Sequence, residues 1–252
     1  MLTVLLKKWR TGLKKINMTK ETFKRVDGRK LNELRPMTAK VGVVPNADGS
    51  AMFSFGNTIA IAAIYGPRKL HPQHMQNPAT GILRCTYDLL SFSVADRKKP
   101  GPSRRSQEIS KVTEWALLPA IDLKGFPNTV VDVQIYILQA DAGTRTAGIN
   151  AASLALAHAG IPMKDLICSV AVGKQDKNIV VDLTKEEEDF EEGEGATDFA
   201  IAKLANTDEF TLLQLDGKIQ PELIKDVMQL ASEASKEIYE VQKKALKEVV
   251  QK

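Results

Sequence analysis

Asp141-Ala142-Gly143-Thr144-Arg145-Thr146-Ala147-Gly148 closes a strongly alternating strand and opens a helix of small residues, so a half-buried sheet and a packed helix meet near the middle of the chain. Before the junction, Val131, Val133, Ile135 and Ile137 fall on one face of a period-two pattern, and Asp132, Gln134 and Tyr136 on the other. After it, residues 147–159 contain no lysine or glutamate, which predicts a helix packed on most sides. The junction brings unpaired backbone N–H groups, the hydroxyls of Thr144 and Thr146 and the guanidinium of Arg145 to one helix N-terminus. Such a terminus attracts an anion through its N–H groups and dipole, and a guanidinium adds a fork of donors matched to phosphate oxygens. Gly143 lets the backbone come close. A plainer reading fits the same residues, with Thr144 as an N-cap and Arg145 paired to a nearby carboxylate. The string is neither a Walker loop, since no Gly-Lys-Ser/Thr follows, nor a three-glycine dinucleotide fingerprint.

Around this junction, 252 residues suffice for one large domain or two modest ones, with enough chain to bury a proper core. The net charge of +4 conceals segregation. Lysine and arginine crowd the first forty residues and the stretch 97–105, and carboxylates crowd residues 186–198. That division suggests a polyanionic ligand together with a metal or a general acid, although a charge run is more usually a solvated face. Cys85 and Cys168 lie far apart in apolar surroundings and read as buried thiols, which fits a reducing cytoplasm. No apolar run approaches the length of a membrane span, and residues 1–17 read as an extension or a disordered basic arm before a single domain over 18–252.

In chain order, residues 23–37 are charged and turn-rich and read as an arm on the surface. Strands are expected at 39–44 and 51–55 around the turn Asn46-Ala47-Asp48-Gly49-Ser50, and at 57–65, where an apolar run predicts a central strand ended by Gly66-Pro67-Arg68. A loop carrying His71 and His74 precedes an alternating strand over 82–92. Ser103 then caps a helix to about 118, with Ile109, Val112, Trp115, Ala116 and Leu118 at helical spacing. Arg104 and Arg105 stand in its first turn, where positive charge opposes the dipole, an arrangement that a bound polyanion would relieve. Further strands are expected at 166–172 and 178–183 with the turn 173–177 between them, then an acidic loop over 185–198, and strands at 199–204 and 210–215. An amphipathic helix ends the chain, with Leu223, Val227, Leu230, Ala234, Ile238, Val241, Ala245 and Val249 on one stripe. The order predicts an α+β architecture, helices packed on mixed sheets.

Three pieces now stand in order: Asp27-Gly28-Arg29 with Leu34-Arg35-Pro36, then Ser103-Arg104-Arg105, then Gly143-Thr144-Arg145. Together they resemble the RNase PH family of phosphate-dependent exoribonucleases. With Asn46-Ala47-Asp48-Gly49-Ser50, Gly66-Pro67-Arg68 and His71-Pro72, the chain is most similar within that family to the catalytic RNase PH-like subunits of archaeal exosomes. The resemblance covers the chain from about residue 23 to the final helix. It implies a ribosomal-protein-S5-domain-2-like fold and a hexameric ring shared with a homologous inactive subunit and RNA-binding cap proteins. It also implies phosphorolysis of single-stranded RNA from the 3′ end, releasing nucleoside diphosphates in the cytoplasm. Two alternatives go with it, a self-assembling tRNA 3′-end trimming enzyme and a ring subunit that binds RNA without chemistry. Inactive ring subunits lose the phosphate arginine or the aspartate, whereas this chain keeps Arg145, Arg104, Arg105 and Asp189.

By the same resemblance, Gly143, Thr144, Arg145 and Thr146 hold the attacking inorganic phosphate, Arg104 and Arg105 grip the RNA 3′ end, and Arg68 and His74 face the entering strand. Two anionic phosphates must be brought together, so arginines, and Mg²⁺, would offset their repulsion. A carboxylate must protonate the leaving oxygen or hold the metal. Asp189 matches the family's essential aspartate. The second aspartate, normally six residues later, corresponds to Asp198, nine later, beyond what reads as a three-residue insertion, with Glu194 as the other candidate. Ala142 stands where the family usually has glycine.

Overall fold

The computed structural model describes residues 24–96, 98–191, 193 and 195–250. The extension over 1–17, the first residue of the basic stretch 97–105 and the candidate Glu194 lie outside the described residues. Nine strands form two sheets among the described residues. In the first, β1 (Met37–Val41), β2 (Gly49–Phe55), β3 (Thr58–Lys69), β5 (Thr129–Gln139) and β4 (Ile82–Leu89) lie in the order β1-β2-β3-β5-β4. All neighbours are antiparallel except β4 and β5, which run parallel because the chain crosses from one to the other through helix α1 (Arg104–Leu117). The second sheet has the order β7-β6-β8-β9, from β6 (Ile167–Gln175), β7 (Asn178–Val181), β8 (Ala196–Leu204) and β9 (Phe210–Asp216). Helix α2 (Thr144–His158) packs against β2, β3 and β5 of the first sheet and against β6 and β8 of the second. The long helix α4 (Ile224–Val250) covers β6 and β1.

The alternation in β5 places its side chains as expected. Val131, Val133, Ile135 and Ile137 are fully buried, and burial of each contributes about 1.5–3 kcal/mol. They face α2, which is buried from Thr146 to Leu156. Gly148 allows that approach, because a Cβ there would lie 3.1 Å from the Ile135 side chain. Both cysteines are buried free thiols, and burial pushes each well above the usual thiol range.

Several expectations need correction. β3 does not end at Gly66-Pro67-Arg68 but runs through it to Lys69. The register against β5 slips between Tyr65 and Arg68, and such a bulge lets a strand carry a proline that has no N–H to give. In α1 the buried side is Ser106, Ile109, Thr113, Ala116 and Leu117, so Trp115 and Leu118 point outward instead of into the core. The buried stripe of α4 runs through Val227, Ala231, Ala234, Ile238, Gln242 and Ala245, and Val249 is exposed. Gln242 is admitted because its amide nitrogen donates to the Ile167 carbonyl at 3.0 Å. β6 continues to Gln175 and leaves only Asp176 and Lys177 as the turn to β7. The acidic segment is not all loop: α3 (Lys185–Glu188) forms one helical turn within it. Nor is the segment before β1 a surface arm throughout, since Arg25 and Arg35 are buried in ion pairs with the loop after β7.

Candidate active site

The end of β5 turns into α2 through two successive left-handed residues, Ala142 (φ 53°) and Gly143 (φ 61°). Alanine pays a steric penalty of roughly 1–2 kcal/mol there, and the surroundings hold it in place. Thr58 Oγ1 accepts from the N–H of Asp141 at 3.0 Å and lies 2.7 Å from the Ala142 carbonyl. Arg35 Nη1 donates to the Asp141 carbonyl, while its Nε and Nη2 fork onto the buried Asp182 at 2.9 and 2.7 Å. The N-cap of α2 is therefore Gly143, and among the described residues no side chain accepts from the first-turn N–H groups. Thr144 is not the cap. Thr146 Oγ1 turns inward to the Gly143 carbonyl at 2.8 Å, so Thr146 offers the seat its backbone N–H and not its hydroxyl.

Arg145 pairs with a carboxylate, as the plainer reading of the sequence expects. It stands in the first turn of α2, and its Nη2 donates to Asp198 Oδ2 at 3.1 Å. Asp198 opens into a strongly desolvated position on β8, and burial pushes its carboxyl above the usual aspartate range, against the pull of Arg145. A cleft of about 470 Å³ lies over the junction. Gly143, Thr144 and Arg145 border it, together with the cations Lys98, Arg105 and Lys185 and the carboxylates Asp96 and Glu188. Ser103 caps α1 through a reciprocal box with Ser106, which brings the Arg105 end of that helix to the cleft. Arg104 and Arg105 make no ion pair among the described residues, so their charge stays available at the dipole's unfavourable end.

The cleft thus gathers Gly143, Thr144, Arg145, Arg105 and, through Arg145, Asp198. Arg104 is exposed beside it and does not border it. Asp189 is exposed at the C-terminal end of α3, where its carboxylate accepts from Lys185 Nζ at 2.6 Å, and it does not border the cleft either. Its neighbour Glu188 does. Arg68 and His74 stand elsewhere. Arg68 pairs with Val130 at the start of β5, on the order of 30 Å along that strand from the junction at its far end. It is held there by Asp48 at 3.2 Å and lies over the Tyr65 ring.

Sequence reading overlooked the residues that hold the seat and the acids in place. Asp141 is the clearest: its Oδ1 accepts from the backbone N–H of Lys185 at 3.1 Å, and its Oδ2 from Asn57 Nδ2 at 3.3 Å. Glu188 was hidden inside a run of four carboxylates. The local signal available was the capping box from Thr184 to Glu187, which fixes where the helical turn starts.

Models of the 3′ exoribonuclease family match residues 33–162 (domain 1) and 165–234 (domain 2), the border falling between the two sheets. The chain is 54% identical over 237 residues to "Exosome complex component Rrp41" of Thermococcus kodakarensis, covering 94% of this chain and 92% of that one. It is 52% identical over 237 residues to the protein of the same name from Pyrococcus abyssi, with the same coverage. Among solved structures, rice Rrp46 superposes with a TM-score of 0.75 at 24% identity, covering 87% of this chain and 98% of that one, which supports the fold.

Proposed function

The chain belongs to the RNase PH family of 3′ exoribonucleases, and from that membership and the chemistry of its cleft we propose that it is a phosphate-dependent 3′-to-5′ exoribonuclease subunit of an exosome. It degrades RNA from the 3′ end with inorganic phosphate and releases nucleoside diphosphates. The observation that carries this reading is Arg145, which stands at an uncapped helix N-terminus, borders one cleft with Arg105 and is hydrogen-bonded to Asp198.

In this reading the backbone N–H groups of residues 144–146 and the Arg145 guanidinium seat the nucleophile. Arg105, with Arg104 behind it, draws the last phosphodiester toward it. The positive charges reduce the repulsion between the two anions and stabilise charge spread over the reacting oxygens. A family Mg²⁺ fits the donor set in one way only. Among the described residues no three His, Cys, Asp or Glu side chains converge, but Mg²⁺ commonly takes one or two carboxylates and completes its shell with water and substrate phosphates. Asp198, with Glu188 or Asp189, would hold it, and it would supply further neutralisation of phosphate charge.

As partners we propose single-stranded RNA, a homologous inactive subunit alternating in a hexameric ring, and RNA-binding cap proteins, with the two matched halves acting as one folding unit. Exposed apolar residues support a ring contact: Trp115 and Leu118 on α1, and Leu213 and Leu215 on β9, the edge strand against α1. Arg68 and His74, far from the cleft, suit an earlier stretch of the entering strand. No helix among the described residues is long and apolar enough to cross a membrane, and we place the assembly in the cytoplasm.

The test is RNA decay with and without phosphate, on the protein purified with its ring partner. Nucleoside diphosphates released only when phosphate is present are expected. Monophosphates released in phosphate-free buffer would mean hydrolysis and end the proposal.

A further inference from the structure

We propose that Tyr87 is a positioning residue of the anion seat: when inorganic phosphate binds, its buried hydroxyl donates to the hydroxyl of Thr144 and aims the Thr144 proton at a phosphate oxygen. This rests on the phosphate seat of the reading above and adds to it a residue that belongs to none of the motifs in the sequence.

Tyr87 stands on β4, the edge strand of the first sheet, and alternates inward with Leu83 and Cys85. It is 1% exposed, and its hydroxyl has no hydrogen-bond partner among the described residues. A buried hydroxyl without a partner destabilises a fold, and phenylalanine would fill the same space without that penalty.

Helix α2 sets where the hydroxyl lies. A Cβ at Gly148 would stand 3.5 Å from Cε2 and 3.6 Å from Cδ2 of Tyr87, so the ring packs against the start of that helix. Thr144 is one turn earlier on the same face and borders the cleft. Its side chain is near enough to act on the Tyr87 hydroxyl, yet no hydrogen bond joins the two. Arg105 and Arg145, which also border the cleft, act on the hydroxyl through their charge, as does Asp88 on the same strand in the opposite sense. Burial dominates and pushes the hydroxyl up to about 12, so it remains a neutral donor. The backbone is pinned from the other side. The Tyr87 N–H donates to Ser110 Oγ at 2.8 Å, and that oxygen donates to the Ser106 carbonyl at 2.6 Å. Tyr87 is thus tied to α1, whose first turn carries Arg105, and packed on α2, whose first turn carries Arg145.

The Thr146 hydroxyl is turned to the Gly143 carbonyl, which leaves Thr144 as the hydroxyl of the seat. A threonine hydroxyl has one proton to give and lone pairs to offer. Facing a phosphate anion it donates, and the donation strengthens when its own oxygen accepts from a donor behind it. Tyr87 is the donor placed there.

The experiment compares Tyr87→Phe, Thr144→Val and the double variant in the protein purified with its ring partner. It reads nucleoside diphosphate release over a phosphate series, RNA affinity, and the rise in melting temperature on adding inorganic phosphate, with chloride at matched ionic strength as control. Tyr87→Phe is expected to raise the phosphate KM by roughly 3- to 10-fold, the scale of one hydrogen bond. RNA affinity should be kept, kcat should fall less than KM rises, and the phosphate-free melting temperature should be equal or higher. In the Thr144→Val background the same change should add nothing further to KM. An unchanged KM in Tyr87→Phe overturns the proposal, and so does a lowered phosphate-free melting temperature, which would make the hydroxyl structural. Full additivity in the double variant overturns the path through Thr144. If the unaltered assembly releases no diphosphates, the phosphorolytic reading fails by itself. The melting shift then still decides: a smaller phosphate shift in Tyr87→Phe upholds its role, and an equal one overturns it.

Discussion

Lys185 donates its backbone N–H to Oδ1 of Asp141 at 3.1 Å, which ties the helical turn carrying Glu188 to the loop that opens α2. Asp141 sits one residue before the left-handed pair, and Arg35 and Thr58 hold its backbone. The N-terminus of α2 and the turn carrying Glu188 are therefore tied to each other through Asp141.

Asp141→Ala should separate them. A shift of about 1 Å between reacting groups can cost roughly 100-fold, so kcat should fall well before the phosphate KM changes. Asp141→Asn keeps an acceptor oxygen and should fall less. Steady-state kinetics over a phosphate series would read the difference, and equal losses in the two variants would argue against the tie.

Arg25→Met would strand the Glu187 carboxylate at a fully buried position. Removing one partner of a buried ion pair costs about 3–5 kcal/mol, measurable as a lower midpoint in denaturant. The double variant Arg25→Met, Glu187→Leu should regain much of that stability. It should not regain activity, because nothing would then fix the rotation of α3.

Asp198 gives a pH signature. Burial raises its carboxyl, and Glu188 adds to the rise. A carboxyl raised in the folded state contributes stability below its unfolded pKa and loses it as pH climbs through the folded value. Relative to Asp198→Asn, the wild-type protein should therefore lose melting temperature as pH rises from just below the usual aspartate value to above it. A margin that instead grows over that window would mean that Arg145 outweighs burial.

RNA affinity should fall with salt, since phosphate contacts release counterions from the strand. Arg104→Ala and Arg105→Ala should each flatten the log–log slope by about 0.7 for a single strand. Arg105→Ala should also lower kcat, because Arg105 borders the cleft and Arg104 does not. Filter binding over a salt series, set beside turnover, would separate grip from chemistry.

What the sequence determined by itself was the strand-to-helix junction and the charges placed at it. Period-two alternation in residues 129–139 and the absence of lysine and glutamate from residues 147–159 are local consequences of which faces must be dry, so the central strand and the packed helix could be read directly, whereas the cap at Gly143 in place of Thr144 could not. The family resemblance added the order of the arginines. Tertiary structure alone decided which carboxylate faces them. Four acids in a row have no periodicity that ranks one above another. The choice came from Arg25, 162 residues before Glu187, which buries that one side chain and so turns Glu188 inward and Asp189 out. The outward turn of Trp115 has the same kind of origin. Helical spacing shows that a stripe exists, but the sheet and helix packed against it decide which residues are covered.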